Sequence, residues 1–290
     1  MALLDGKALA GEIIAGLREE YQRIPKRLSL GAVVVGSDPV VAKFIAEKKR
    51  IADELGVDFR IYEYDAAIST NDLRANMAAL VHQARLDGII VQLPLPPAIN
   101  AQSVLNAVPP EKDVDVLSAR AMGNFSVGKS PVFPPVVGAV KALFDEYKIN
   151  LRGKIVAVIG AGALVGKPIA TWLLLEKATF TMVEEGGDIV AATRNADIII
   201  SGAGKPGLVT ADMVKEGVVV IDAGTSSGSF STDSTGSPQA ISGQQASLVG
   251  DVDFESVSKK AVFITPVPGG IGPLTVAMIF KNLIVLASQD

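Results

Sequence analysis

The sequence predicts an α/β fold in two domains, each built around a parallel sheet. Three observations carry this. Short apolar runs alternate with stretches of helical spacing, in two successive series. A glycine-rich turn separates a strand from a helix at the start of the second series. The 290 residues exceed the ~100–200 of an ordinary domain.

The first series opens on residues 30–36, LGAVVVG, an unbroken apolar run that predicts a buried strand. Residues 38–55 show helical spacing and end at Gly56, and residues 58–65 alternate like a second strand. A helix is expected over 70–85 and a strand over 87–96, running into a proline-rich loop. The β-α-β-α-β order implies parallel pairing through right-handed crossovers. Residues 117–137 lack strong periodicity, contain Pro131, Pro134 and Pro135, and are expected to join the domains. A helix over 136–147 precedes the second series: strands at 154–160, 179–185, 196–204 and 217–224, with helices from about 165 and at 210–215. Residues 225–246 are rich in Ser, Gly, Thr and Gln, and predict a flexible loop or mobile hairpin. A last helix is expected over 273–288.

Hydrophobic residues make up 49% and charged residues 20%, which supports a packed core; with aromatics at 5%, Val, Ile, Leu and Ala must fill it. Lys and Arg total 27 against 31 Asp and Glu, so the net charge of −4 argues against general nucleic-acid binding. The absence of cysteine excludes disulfides, thiolate metal sites and a Cys nucleophile. A single histidine, His82, speaks against histidine metal sites and a Ser-His-Asp hydrolase, and no metal is expected. Chemistry is left to Lys, Asp, Glu, Gln, Tyr, Ser, Thr or a bound cofactor. The charged amino-terminal stretch reads as a capped amphipathic helix, not a signal peptide, and no apolar run nears the ~18 residues of a membrane span. A cytoplasmic protein without a membrane partner is expected.

Residues 156–168 place Gly160, Gly162 and Gly166 between a strand and a helix, where backbone N–H groups can approach a pyrophosphate. The G-x-G-x-x-x-G spacing is a variant of the usual fingerprint, and read alone it fits a plain tight turn as well. The next strand ends at Glu184-Glu185, placed to accept bonds from adenosine ribose hydroxyls or simply to lie in solvent. An acid there would repel a 2′-phosphate, so NAD is favoured over NADP. In the helix at 38–55, Phe44 and Lys48 share a face. A lysine in an apolar cleft has a lowered pKa and can exchange protons near neutrality, although most lysines lie on the surface.

The chain resembles the bifunctional methylenetetrahydrofolate dehydrogenase/cyclohydrolase (FolD) family over nearly its whole length. The residues that carry the resemblance are DGK (5–7), VGSDP (35–39), Lys48, Gly56, DGIIVQLPLP (87–96), KDVD (112–115), RGKIVAVIG (152–160), VGKP (165–168), GKPG (204–207), VIDAG (220–224), GDVDF (250–254) and TPVPGGIGPLTVAM (265–278). It implies a catalytic, folate-binding domain over 1–120 completed by 273–290, a Rossmann-like NAD(P)-binding domain over 121–272, and a substrate cleft between them. It also implies a homodimer that oxidises 5,10-methylenetetrahydrofolate to the methenyl form with NAD(P)+ and hydrolyses that to 10-formyltetrahydrofolate. By this resemblance Lys48 is the general acid/base, Gln92 tunes it, and Asp115 holds the pterin ring. Phe44, Val91, Leu93, Pro94, Pro266, Pro268, Gly269, Gly270, Pro273 and Thr275 border the folate. Gly160, Ala161, Gly162, Val165, Gly166, Glu184, Gly202, Gly204 and Gly224 bind the cofactor.

Several family-typical positions differ. Val41 and Phe44 stand for Ser and Tyr, Val116 for Gly, Val132-Phe133-Pro134 for Cys-Thr-Pro, Ala161-Gly162 for Arg-Ser, and Glu184 for His or Ser; the 225–246 loop is longer. The changes gather at the folate and adenosine positions. They allow an enzyme with shifted cofactor preference and a weakened cyclohydrolase step. The alternative is a divergent paralogue, non-catalytic or re-specialised for another pterin- or nucleotide-like ligand. Retention of Lys48, Gln92 and Asp115 favours the enzyme.

Overall fold

The structure, a computed structural model, describes the chain except residues 84, 185, 229, 233–237, 241–246 and 290. It divides into two compact units. One comprises Leu9–Gly138 with Leu274–Asp290, the other Met1–Ala8 with Ala139–Pro273.

The first unit holds a three-stranded sheet ordered Asp58–Tyr64, Ser29–Val35, Gly88–Val91, all parallel. The central strand is buried along its length, as an unbroken apolar run requires in a covered sheet. The helix Pro39–Leu55 is bounded by its own sequence: Asp38 accepts the Val40 and Val41 N–H groups, and Gly56 at φ 80° takes the left-handed position that ends it. Helix Thr70–Gln83 packs Leu73 and Met77 onto Val33, Ile89 and Val91. The last helix, Ile271–Ala287, belongs to this unit from Leu274 onward. Its Asn282 Nδ2 donates to the carbonyls of Val114 and Phe133, both at 2.8 Å. Leu283 approaches so closely that a Cβ on Gly88 would lie 2.8 Å from it.

The second unit is built on a six-stranded parallel sheet. Its order is Ala2–Leu3, Phe263–Ile264, Val219–Asp222, Ile198–Ser201, Ile155–Ile159, Thr179–Val183. The chain crosses from Ile155–Ile159 to one side, then returns to pair Ile198–Ser201 on the other. That reversal is the topological switch point at which open α/β sheets bind ligands. No helix among the described residues is long and apolar enough to cross a membrane.

Several expectations are corrected. Residues 117–137 are not featureless: Ser118 caps a helix over Ala119–Ser126, and Pro135 opens the helix Pro135–Glu146. At eight residues, with Gly123 inside it, the helix is shorter than the window over which helical spacing is read. Within 87–96 the strand spans Gly88–Val91 and runs on into the proline-rich loop, as expected. The helix expected at 210–215 is a single 3-10 turn, Ala211–Met213. Within 225–246 the described residues form short antiparallel pairs, Ser226–Gly228 with Ser247–Val249 and Phe230–Thr232 with Pro238–Ala240; the rest of that expectation lies outside the described residues.

Helix Gly6–Tyr21 gives a contrast between glycines. A Cβ on Gly6 would lie 1.9 Å from the Gly270 carbonyl oxygen, whereas Gly11 has nothing within 4 Å. Gly6→Ala is expected to destabilise by about 1–3 kcal/mol through overpacking. Gly11→Ala is expected to stabilise by about 1 kcal/mol, because alanine loses less backbone entropy in a helix. Denaturant melts of both variants check this, and shifts of the same sign would contradict it.

Candidate active site

The apolar spacing of helix Pro39–Leu55 buries Val41, Ile45, Ile51, Ala52 and Leu55, and Lys48 falls on that same face. Lys48 is only 8% exposed. Its Nζ donates to Gln92 Oε1 at 2.6 Å. Gln92 follows Val91 directly, and its N–H continues the sheet ladder to the Val33 carbonyl at 2.9 Å. Its side-chain Nε2 donates to the Leu93 carbonyl at 2.8 Å, which turns the amide oxygen toward the lysine.

Burial lowers the Lys48 pKa, opposed by the attraction of Asp115. Burial pushes the Asp115 carboxyl up to about 6; Lys48 pulls it down and Asp113 pushes it further up. An ammonium whose pKa is lowered by burial, held at a fixed position, is suited to proton transfer. Phe44, one turn before Lys48, is half-buried and supplies a ring without a hydroxyl. Leu93 is half-buried and Pro94 exposed. Val91 is 3% exposed and packs with Val33, Leu73 and Met77, so its side chain serves the core. Thr275 is half-buried in the last helix.

In the other unit, the glycine turn lies at the switch point. A Cβ on Gly160, which has φ 88°, would stand 2.8 Å from the Gly202 carbonyl oxygen. One on Gly166 would stand 1.8 Å from the Gly160 oxygen, and one on Gly202 would stand 2.3 Å from Val165 Cγ1. Only glycine permits these approaches. Gly162 is exposed and opens on free space. Helix Gly166–Leu175 follows Val165, which makes no side-chain cap; the Lys167 N–H donates to the Gly162 carbonyl at 3.1 Å, and Pro168 brings no N–H to the first turn. These features fit a dinucleotide phosphate.

Glu184 stands just after the strand Thr179–Val183, and its Oε2 accepts the Ala161 N–H at 2.6 Å. An acid is therefore fixed at the mouth of the turn; its neighbour Glu185 lies outside the described residues. Gly204 at φ 68° is open, whereas a Cβ on Gly224 would collide with the Asp251 carboxylate at 2.1 Å. Gly224 therefore packs against the buried Asp251.

Asp251 has no role in the sequence reading beyond its motif. It is fully buried and accepts Ser201 Oγ at 2.7 Å, Ala203 N–H at 2.7 Å and Lys205 N–H at 2.8 Å. It thereby holds the loop carrying Gly202 and Gly204. Burial pushes the neighbouring Asp222 carboxyl up to about 6, against N–H bonds from Val252, Asp251 and Gly224. A carboxylate inside an apolar run is the signal that could have marked both. Pro266, Pro268, Gly269, Gly270 and Pro273 lie in this unit too. Their loop is anchored by Lys7 N–H donating to the Gly269 carbonyl at 2.9 Å. The predicted residues thus gather in two places: Lys48, Gln92, Asp115 and Phe44 in one unit, the glycine turn, Glu184 and the Pro266–Pro273 loop in the other.

Residues 4–115 match the tetrahydrofolate dehydrogenase/cyclohydrolase catalytic domain, and residues 134–290 match the NAD(P)-binding domain of the same family. The bifunctional protein FolD of Nautilia profundicola is 38% identical over 295 residues, spanning 100% of this chain and 98% of the relative. That of Moorella thermoacetica is 38% identical over 291 residues, spanning 99% of each. Among solved structures, the bifunctional enzyme FolD, methylenetetrahydrofolate dehydrogenase/cyclohydrolase, of Campylobacter jejuni is 37% identical with a TM-score of 0.87, covering 100% of this chain and 99% of that one. The Trypanosoma brucei methylenetetrahydrofolate dehydrogenase-cyclohydrolase, complexed with NADP cofactor and inhibitor, is 32% identical with a TM-score of 0.89, covering 99% and 97%. With both domains matched, and relatives aligned end to end on a fold that carries a buried Lys48–Gln92 pair and a switch-point glycine turn, the chain belongs to the tetrahydrofolate dehydrogenase/cyclohydrolase family.

Proposed function

We propose that this protein oxidises 5,10-methylenetetrahydrofolate to the methenyl form with NAD(P)+ and hydrolyses that product to 10-formyltetrahydrofolate. The observation that carries the reading is the buried bond from Lys48 Nζ to Gln92 Oε1, at 2.6 Å, within a chain related end to end to bifunctional FolD proteins. Folate chemistry is assigned to residues 1–120 with 273–290, and nicotinamide binding to 121–272. A homodimer working in the cytoplasm is part of the proposal.

A bound nicotinamide supplies the hydride acceptor. The chain's own groups do the rest. Asp115 accepts hydrogen bonds from the pterin ring, and the Phe44 ring packs against it. Gln92 keeps Lys48 Nζ in place. In the hydrolytic step Lys48, once its ammonium has shed a proton, takes one from the water that attacks the methenyl carbon and returns it to the nitrogen that leaves when the ring opens, while the remaining hydroxyl proton passes to solvent as the formyl carbonyl forms. Phe44 offers no hydroxyl to share in that proton movement, so hydrolysis is the weaker of the two activities. Hydride transfer depends mainly on alignment of the two rings and tolerates the change. Glu184, bonded to the Ala161 N–H, places negative charge where a 2′-phosphate would need a cation, so NAD is preferred.

Reduced cofactor should form from 5,10-methylenetetrahydrofolate, and Lys48→Ala should slow methenyl hydrolysis by roughly 10²–10⁴-fold. Absence of turnover with both NAD+ and NADP+ would sink the enzyme reading. The ratio of kcat/KM for NAD+ over NADP+ should exceed one and shrink in Glu184→Ser; a wild type that uses NADP+ at least as well would refute the role of Glu184.

Tetrahydrofolate binding should depend on ionised Asp115. Because the carboxyl is raised to about 6, affinity is present above that pH and is lost as pH falls through it. In Lys48→Met the pull of the cation is gone, so the midpoint should move to higher pH. Calorimetric titration over about pH 5–8 checks both statements; a midpoint that does not move would contradict the Lys48–Asp115 coupling.

A further inference from the structure

Asp115 lies in a run of residues from 113 to 118 whose other members are all buried. The shape of that run is held by the side chain at its start. Asp113 is 4% exposed. Its Oδ2 accepts the N–H of Leu117 at 3.0 Å and that of Ser118 at 2.7 Å. These bonds close over Asp115 from one side of the turn to the other. Between them the chain doubles back: the Val116 N–H donates to the Asp113 carbonyl at 3.2 Å, and Val116 sits at φ 56°.

A β-branched residue in the left-handed region costs about 1–3 kcal/mol and persists only where its surroundings over-determine it. Here they do. Val116 is fully buried. The Ile89 N–H donates to the Lys112 carbonyl at 2.8 Å, tying the run to the strand that leads into Gln92. Asn282 Nδ2 holds the Val114 carbonyl at 2.8 Å. At the far end Ser118 caps the helix Ala119–Ser126. Burial pushes the Asp113 carboxyl up, and the hydrogen bonds from Ser118 and Leu117 pull it down; bonds from N–H groups to a carboxylate are the stronger, charge-assisted class.

We infer that Asp113 is a positioning residue for substrate binding: by holding the Leu117 and Ser118 N–H groups it fixes the strained turn that presents the Asp115 carboxylate. This rests on the reading of Asp115 as the folate-binding carboxylate. Asp113 touches neither substrate nor cofactor in this role; it acts through the turn.

The test compares Asp113→Ala, Asp113→Asn and Asp115→Ala by calorimetric titration with tetrahydrofolate and with NADH, alongside thermal melts. Asp113→Ala should weaken tetrahydrofolate binding about tenfold or more, and leave NADH binding as in the wild type. Asp113→Asn should keep affinity within about threefold, because one amide oxygen in the Oδ2 place can take both N–H donors. Asp115→Ala should lose affinity like Asp113→Ala. If Asp115→Ala is impaired while Asp113→Ala binds normally, the positioning inference is overturned and the reading of Asp115 stands. If Asp115→Ala itself binds normally, the reading of Asp115 fails and takes the inference with it. Equal losses in Asp113→Asn and Asp113→Ala would assign the effect to charge and overturn positioning by hydrogen bonds. Should Asp113→Ala not fold, Asp113→Ser replaces it: the side chain stays small and polar, but its single hydroxyl oxygen falls short of the Ser118 N–H that Oδ2 accepts at 2.7 Å. Weakened tetrahydrofolate binding with normal NADH binding is then expected, and wild-type affinity would overturn the inference.

Discussion

A lysine ammonium taken out of water is the constraint around which one half of this molecule is arranged. Burying an isolated charge costs several kcal/mol, and a single hydrogen bond does not offset it. Lys48 meets this in two ways. Gln92 accepts its proton-bearing nitrogen at 2.6 Å, and Asp115 supplies opposite charge. Each answer imposes its own requirement. Gln92 must stand where the strand Gly88–Val91 ends, with its amide oriented by the Leu93 carbonyl. Asp115 must sit on a turn rigid enough to keep a half-buried carboxylate beside the lysine. The last helix serves the same end, because Asn282 grips Val114 and Phe133 from the other end of the sequence.

The nucleotide-binding half obeys a different constraint, close approach of backbone to backbone. Gly160, Gly166 and Gly202 admit no Cβ, so two neighbouring loops meet at the point where strand order reverses. Buried Asp251 then does for the 201–205 loop what Asp113 does for the 113–118 turn. In both units a buried acid shapes a loop by collecting backbone N–H groups. That recurrence follows from elementary accounting: loops carry unpaired donors, and buried donors need acceptors.

Much of the fold was legible because its signals are local. The run LGAVVVG had to be a covered strand, and Asp38, Pro39 and Gly56 bound the next helix through bonds to their immediate neighbours. The helix Ala119–Ser126 and the two-residue strands Ala2–Leu3 and Phe263–Ile264 are not legible in the sequence, since each is shorter than the stretch over which a period is read. Of the candidate site, Lys48, Gln92 and Asp115 stood out only through their resemblance to a family pattern. Read singly they were a surface lysine, a strand cap and a loop charge.

By itself the sequence determined the class of fold, the family, and the chemistry left open to a chain without cysteine and with one histidine. Tertiary structure alone decided that Lys48 is buried, that Glu184 holds the Ala161 N–H, and that Asp113 and Asp251 are braces for loops. The physical reason is that burial, and the pKa shifts and bond partners that follow from it, are set by residues far apart in the chain: Lys48 and Gln92 are 44 positions apart, and Ser201 and Asp251 are 50 apart.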